Sequence, residues 1–353
     1  AGRLDPRVAA DAIKEGKLDG AGFARQFLAD QEWVTKMMND EEDDIRPCIL
    51  CHNGCFNMCH YKGVPNDQEL TDSLGLSRCA VNAETMQWNK HYIKKTNSPK
   101  TVHIVGGGIG GMEAARVLKL RGHNPIIHEK SNVLGGTFIP ASAESYKGKL
   151  RDLLDWYRRQ MTKLGIEVRL NDEIKDIAAF GSDPVIIATG STPRLLRRVP
   201  GYEKMIEGCD YLNGAEVGNT VAVIGGGLTG CEIAYELALQ GKNPIIVEMK
   251  DDLISQTGVC LANSSYLREW FALHKTPVYL ETTLKEVKDG SIVCTGKDGK
   301  DINIDCDSVI SCAGYIPAPL AEKSGNVHLV GDCLAIGNLR SVVWRAYDVA
   351  MKI

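Results

Sequence analysis

Residues 101–137 read TVHIVGGGIGGMEAARVLKLRGHNPIIHEKSNVLGGT, and residues 220–253 read TVAVIGGGLTGCEIAYELALQGKNPIIVEMKDDL. The two align without a gap at an offset of 119 residues, down to a shared NPII. Each opens with a β-rich run, Val102–Val105 or Val221–Ile224, that feeds a G-x-G-x-x-G turn and then a helical pattern. One βαβ unit is used twice. Its glycines are Gly106, Gly108 and Gly111 in the first copy and Gly225, Gly227 and Gly230 in the second. The first glycine of such a turn makes the bend, and the second lets the backbone approach a pyrophosphate. The third lets helix and strand pack closely, with the helix N-terminus aimed at the anion. A carboxylate follows 23 residues beyond each first glycine, Glu129 and Glu248, where it accepts hydrogen bonds from a ribose diol. A lone Gly-rich turn is weak evidence, and the plainer alternative is a pair of structural turns in an α/β sheet. Strand, helix and acid around the turn, twice over, predict two dinucleotide sites. Glu248 repels a 2′-phosphate, where an NADP site usually offers arginine, so NADH is expected; nearby Lys250 softens that preference.

Two further motifs carry a resemblance. VIIATGSTPR (185–194) has an echo in VISCAGYIP (309–317), and VHLVGDC spans 327–333. With the duplicated unit they resemble the glutathione-reductase-type flavoproteins, in which the second nucleotide domain is inserted into the first. That resemblance implies FAD in the first unit, held by Gly106, Gly108, Gly111, Glu129, Lys130, Gly135, Gly136, Thr137, Ala188, Thr189, Gly190 and Gly331. Asp332 falls where the family's aspartate meets the flavin ribityl chain. The second unit, with Gly225, Gly227, Gly230 and Glu248, is implied to take NAD(P)H. Thioredoxin reductases share this organisation but carry a redox C-x-x-C in the nicotinamide domain, and residues 216–312 contain none.

Four of the twelve cysteines, Cys48, Cys51, Cys55 and Cys59, fall within RPCILCHNGCFNMCHYKG (46–63), and SRCAVNAE (77–84) adds Cys79. Disulfide frameworks belong to small secreted domains, so in a chain of 353 residues the reducing cytoplasm is the expectation, and clustered thiols there bind metal. Four cysteines at short spacings suit a [4Fe–4S] cluster, and a closed zinc site is the competitor. RPCILCHNGC…SRCAVNAE, followed by the FAD unit, resembles the family of 2,4-dienoyl-CoA reductase, enoate reductase and trimethylamine dehydrogenase. These are relatives of old yellow enzyme with a C-terminal flavoprotein half. The resemblance implies [4Fe–4S] on Cys48, Cys51, Cys55 and Cys79, with Cys59 as a bystander or a substitute fourth ligand. His52 and His60 are expected to face solvent or to stand behind the ligands.

The first residues, AGRLDPRVAADAIKEGKLDGAGFARQFLADQEWV (1–34), resemble the last strand–helix units of that family's TIM barrel, whose loops grip FMN phosphate. By position, Gly2 and Arg3 lie at one loop and Ala24 and Arg25 at the other; Gln26 stands where the family usually has proline. The remaining barrel is expected in a longer polypeptide or a paired half.

The expected fold is therefore α/β: two Rossmann-like three-layer domains, the second inserted in the first, after an iron–sulfur segment and a barrel end. The expected divisions are 1–45 for the barrel end, 46–98 for the cluster, 99–215 with 313–353 for FAD, and 216–312 for NAD(P)H. The implied function is an ene-reductase-type oxidoreductase passing electrons from NADH through FAD and [4Fe–4S] to FMN, and so to an activated C=C bond of a small unsaturated substrate. The alternatives are a stand-alone electron-transfer subunit like the small subunit of glutamate synthase, or a dehydrogenase of trimethylamine dehydrogenase type with ADP in the FAD position. No side-chain catalyst is expected in this half. A homo-oligomer, or a pairing with the N-terminal half, is expected. Nucleic acid is argued against by the net charge of −4, and a membrane by the lack of a long apolar run. His103 and His128 are expected at the edge of the core. Residues 142–165 are expected to form a packing helix through Leu150, Leu153, Leu154, Tyr157, Met161 and Leu164, and NDEEDD (39–44) a solvated linker.

Overall fold

The computed structural model describes residues 6–57, 77–87, 91–256 and 258–353. The β-rich run Thr101–Val105 lies in the middle of a five-stranded parallel sheet, ordered Val327–Leu329, Val185–Ile187, Thr101–Val105, Asn124–Glu129, Glu167–Leu170. The second copy places Ile206–Glu207, Ser308–Ser311, Thr220–Ile224, Asn243–Val247 and Val278–Tyr279 side by side; the last four repeat the first sheet's order, while the outer edge strand comes before the unit rather than after it. The repeat extends to register: Thr101 sits opposite Asn124, and Thr220 opposite Asn243. Central strands of such sheets are covered on both faces, which is why these runs are apolar throughout rather than alternating.

The chain leaves the first sheet through Ser191–Pro193 and returns through Tyr315–Pro317, and these two crossings pair as an antiparallel ribbon. That ribbon encloses the inserted domain, which also carries a three-stranded antiparallel sheet, Thr283–Lys288, Ser291–Thr295 and Asp301–Asp305. The inserted sheet begins earlier than the expected boundary at 216: Ile206–Glu207 hydrogen-bonds to Ser308–Ser311 and forms its edge.

Helix Ile109–Arg121 is buried at every residue from Ile109 to Leu118, between its own sheet, helix Gly148–Lys163 and the final helix Leu339–Lys352. Helix Gly148–Lys163 buries Leu153, Leu154, Trp156, Tyr157 and Met161, with Leu150 and Leu164 packed at its margin. The acidic run is exposed over Asn39–Glu41 and at Asp43, as expected of a solvated linker, but its end is docked. Asp44 accepts from Gln160 at 2.6 Å and Lys163 at 2.9 Å, and the Asp43 carbonyl accepts from Arg159 at 3.0 Å. Arg159, Gln160 and Lys163 of the packing helix hold this end of the run.

Residues 6–57 contain the helices Pro6–Lys14, Arg25–Ala29 and Trp33–Met38 and no strand. The strand half of the expected barrel end is thus missing among the described residues, because a barrel strand needs neighbouring strands to complete its ladder. Gly2, Arg3, Cys59 and His60 lie outside the described residues. His103 and His128 hold the core edge as expected: their ring nitrogens lie 3.0 Å apart, Phe180 stacks on His103, and His128 bonds Asp172 at 2.7 Å.

Candidate functional site

The two Gly-rich turns have the same atomic plan. A Cβ on Gly106 would stand 2.4 Å from the Ala188 carbonyl oxygen, and one on Gly225 would stand 2.5 Å from that of Cys312. A Cβ on Gly111 or Gly230 would come within 2.0 or 1.9 Å of the carbonyl oxygen of its own first glycine. The fold itself forbids a side chain at all four. Gly108 and Gly227 differ. Each has an ordinary extended φ, near −70°, and a Cβ there would meet nothing closer than 4.0 and 3.5 Å respectively. Space without strain at the mouth of a helix N-terminus is what a pyrophosphate cradle requires.

Both acids face these turns. Glu129 accepts the Gly107 N–H at 2.7 Å, and its other oxygen accepts the Ser131 N–H and O–H, each at 2.8 Å. Glu248 accepts the Gly226 N–H at 2.5 Å and the Lys250 N–H at 2.8 Å. A carboxylate offers about four lone-pair sites, so each retains capacity for a ribose hydroxyl. Lys130 is exposed beside Glu129. Gly135 donates its N–H to the Gly107 carbonyl at 2.9 Å, and Gly136 packs on Gly108, so the pair closes the first cradle ahead of Thr137. Ala188 donates to Val105, and the Thr189 hydroxyl donates to the Ala318 carbonyl at 2.6 Å next to Gly190. Asp332 follows Gly331 and accepts the Gly337 N–H at 3.1 Å; burial pushes its carboxyl up.

A cleft of about 1000 Å³ runs from Glu248 and Lys250 past Gly225–Gly230 to Thr137 and Asp332. It joins the second cradle to the first domain. Lys147 crosses it, paired with Glu144 at 3.0 Å and Glu232 at 2.8 Å.

The thiols gather where the first domain meets the inserted one: Asn53, between Cys51 and Cys55, donates to the carbonyl of Gly258, which lines the cleft, at 2.8 Å. Cys48, Cys51 and Cys79 all pack against the core that holds helix Ile109–Arg121. Burial pushes the Cys51 and Cys79 thiols up to about 11 and about 12. Cys51 lies within reach of the charges of Cys48 and Cys55, and Cys79 within reach of those of Cys48 and Cys51. Cationic neighbours oppose the burial: Arg25 beside Cys48, Arg46 beside Cys79. Arg46 is itself buried, donating to the Val81 carbonyl at 2.9 Å with its guanidinium 4.8 Å from the Trp156 ring centroid. The two thiol segments are pressed together at Gly54, where a Cβ would stand 2.7 Å from the Ala80 nitrogen. Among the described residues, no three His, Cys, Asp or Glu groups converge tightly enough to hold a single metal ion.

The family model for pyridine nucleotide-disulphide oxidoreductases matches residues 100–331, a span that takes in both Gly-rich turns and the ribbon between the domains. The chain belongs to the pyridine nucleotide-disulphide oxidoreductase family. It is 36% identical over 368 residues to the cinnamate reductase of Clostridium sporogenes, covering 100% of this chain and 52% of that protein. It is 32% identical over 367 residues to the NADH oxidase of Thermoanaerobacter brockii, covering 99% of this chain and 54% of that one. The solved structure of 2-naphthoyl-CoA reductase with 2-naphthoyl-CoA superposes with a TM-score of 0.87 at 27% identity, over 99% of this chain and 53% of the other. The chain spans about half the length of the curated relatives it matches.

In this pyridine nucleotide-disulphide oxidoreductase, sequence reasoning missed two residues at the thiol site. Gln26 grips the loop around Cys48 with both ends of its amide: Nε2 donates to the Arg46 carbonyl at 2.8 Å, and Oε1 accepts the Cys48 N–H at 3.0 Å. Arg25, expected at an FMN phosphate, hydrogen-bonds the His52 ring at 2.9 Å. Ala24 precedes that short helix without a side-chain cap. The second missed residue is Arg340, on the final helix, whose guanidinium feels the charge of Cys51.

Among the described residues, no helix is long and apolar enough to cross a membrane.

Proposed function

We propose that this chain oxidises NADH and carries FAD and a [4Fe–4S] cluster. It would serve an oxidoreductase that reduces an activated carbon–carbon double bond on FMN in a barrel-bearing half. The observation that carries the reading is the room at Gly108 and Gly227, two glycines that the fold does not need and a dinucleotide does. The names of the relatives, a cinnamate reductase and a 2-naphthoyl-CoA reductase, supply the substrate class: an unsaturated acid or its thioester.

When bound, these groups supply the conversion of a two-electron hydride donor into single electrons and their return to a two-electron acceptor. The chain's own task is to hold and tune them. Gly106, Gly108 and Gly111, with Gly135, Gly136 and Thr137, line one phosphate cradle, and Ala188–Gly190 and Gly331–Asp332 close its inner end. Gly225, Gly227 and Gly230 line the other, where Glu248 receives the ribose diol of NADH and disfavours a 2′-phosphate. Cys48, Cys51, Cys55 and Cys79 form the ligand set. The charge contact of Cys79 with Cys48 and Cys51 supports it as the fourth member. The donor chemistry fits: four thiols, of which Cys48 and Cys79 have a guanidinium group, Arg25 and Arg46, opposing the cost of burying a thiolate. Arg25 remains the candidate for the FMN phosphate, since guanidinium binds phosphate bidentately.

Protein purified without oxygen is expected to hold about four iron atoms with matching acid-labile sulfide, and one FAD, per chain. NADH is expected to bleach the flavin. Stoichiometric zinc without sulfide would refute the cluster, and a strong preference for NADPH would refute the reading of Glu248.

A further inference from the structure

The internal repeat runs on past both strand-end acids. At the same offset of 119 residues, Ser131–Thr137 of the first copy matches Lys250–Gln256 of the second. The two loops share little sequence but one backbone plan. Leu134 and Leu253 each cover the middle glycine of their turn: a Cβ on Gly107 would stand 2.4 Å from the first, and one on Gly226 2.6 Å from the second. The next residue closes on the carbonyl of that glycine. The Gly135 N–H donates to Gly107 at 2.9 Å, and the Ile254 N–H donates to Gly226 at 2.8 Å. Both closing residues adopt positive φ, 136° at Gly135 and 50° at Ile254.

A left-handed backbone is free to glycine and rare for a β-branched residue. Ile254 is nevertheless held in it, 3% exposed, under a clamp from helix Leu261–Leu273. Arg268 of that helix donates to the Leu253 carbonyl at 2.8 and 2.5 Å and to the Ile254 carbonyl at 3.3 Å, and pairs with Asp252 at 3.0 Å. Backbone kept against its own preference is over-determined by its surroundings, and such places cluster at ligand sites. The two loops differ in what they bring to the second glycine of the turn. The first brings backbone: a Cβ on Gly136 would stand 3.4 Å from the Gly108 α-carbon. The second brings an amide, with Oε1 and Nε2 of Gln256 at 3.5 and 3.7 Å from where a Cβ on Gly227 would be. Gln256 is exposed in the cleft, and among the described residues none hydrogen-bonds its amide.

We propose that Gln256 is a binding residue of the inserted domain's dinucleotide site, its amide N–H donating to a pyrophosphate oxygen over Gly227. The inference rests on the reading that this domain takes NADH. The turn alone offers the anion the backbone N–H groups at the start of helix Leu228–Leu239. Gln256 adds a side-chain donor to them, carried on a loop that Arg268 has already fixed. The amide lies in space that the phosphates need, but an exposed glutamine turns about its side-chain bonds without moving the backbone. It therefore yields the space and keeps the contact.

The test uses the full chain with excess FAD present, so that the first unit is occupied, as wild type, Gln256→Ala and Gln256→Glu. ADP-ribose, which carries the pyrophosphate without the nicotinamide, is titrated into each by calorimetry, and each melting temperature is measured. Gln256→Ala is expected to bind ADP-ribose about tenfold more weakly, the loss of one hydrogen bond to a charged group. Gln256→Glu keeps the size of the side chain but sets a carboxylate against the phosphates, so it is expected to bind more weakly still. Both variants are expected to melt like the wild type. Unchanged binding by Gln256→Ala overturns the proposal, and tighter binding does so by showing that the amide only plugs an empty cradle. Gln256→Glu binding better than Gln256→Ala also overturns it, as does a melting temperature that falls in step with affinity. A wild type that does not bind ADP-ribose overturns the reading of the inserted domain itself, and that result is visible before either variant is made.

Discussion

The two copies of the nucleotide unit share register, turn geometry and the grip of a carboxylate on the middle of the turn, yet equivalent side chains do different work. Glu113 and Glu232 occupy the same position in the repeat. Glu113 is fully buried and takes a two-pronged bond from Arg116, at 2.8 and 2.9 Å, within its own helix. Glu232 instead reaches across the cleft to Lys147. Arg116 is replaced by Tyr235, which meets Tyr146 and Trp270 edge to face at 5.2 and 4.9 Å. The cause is the covering. The first helix is enclosed by the final helix and the segment that carries the thiols, so its charges must be satisfied internally. The second helix is left with a face toward the first domain, and its charges dock one domain on the other. A glycine pattern dictates a turn; the neighbours decide what the helix behind it is for.

The largest effect that can break this comparison is steric. Gly111→Ala and Gly230→Ala place a methyl group against a backbone carbonyl that cannot retreat, at a cost of about 1–3 kcal/mol or more. Gly111→Ala is expected to lose the flavin together with the folded first unit, and Gly230→Ala to lower the melting temperature of the inserted domain. Gly108→Ala and Gly227→Ala should melt like the wild type while losing FAD and NADH binding respectively. If Gly227→Ala bound NADH normally by calorimetry, the open space would serve no ligand.

Glu113→Gln leaves the Arg116 charge buried without its counter-ion, which costs about 3–5 kcal/mol. Glu232→Gln removes a pair nearer solvent and should cost about 1 kcal/mol or less. Equal losses in chemical denaturation would mean that the two positions are not used differently after all. A smaller effect separates the acids at the strand ends. Glu248→Gln keeps an acceptor for the turn but removes the charge facing a 2′-phosphate. The preference for NADH over NADPH is then expected to fall roughly tenfold, about 1.4 kcal/mol, in titrations of flavin bleaching.

What the sequence discloses follows the same division between local and long-range causes. Gly106, Gly111 and the strand runs are legible because backbone geometry within one unit demands them, and both copies demand the same. The approach of Cys79 to Cys48 and Cys51 was readable only through family resemblance, since no local rule brings residue 79 to residue 48. The role of Gln26 is not legible in the sequence, because its partners are backbone atoms at 46 and 48 whose position only the fold determines. The edge strand Ile206–Glu207 is two residues long, and pairing rather than composition makes it a strand. The acidic run is mostly exposed, as its composition suggests, but the docking of Asp43 and Asp44 is not legible locally because their partners lie more than a hundred residues away, on helix Gly148–Lys163.

The covering of the first unit also has a pH signature, smaller than the effects above. His91 lies against the final helix, with Nε2 3.1 Å from an Asp348 oxygen, Nδ1 3.0 Å from the Ala83 carbonyl and its ring on Tyr347. The hydrogen bond to Asp348 holds its pKa above the usual 6.5 against the opposing effect of burial. A histidine whose folded pKa is raised contributes its full stability below the unfolded value, and that contribution fades as pH climbs through the folded one. The wild type should therefore exceed His91→Gln in melting temperature most clearly near pH 6, by less than about 1 kcal/mol, with the margin shrinking toward pH 8 and above. Among the described residues, none of the second copy makes an equivalent contact, so the inserted domain's transition should be unmoved by the substitution at any pH. A margin that stayed flat or widened as pH rose would show that His91 acts as a neutral packing group, and that the cover over the first helix is held by its apolar contacts alone.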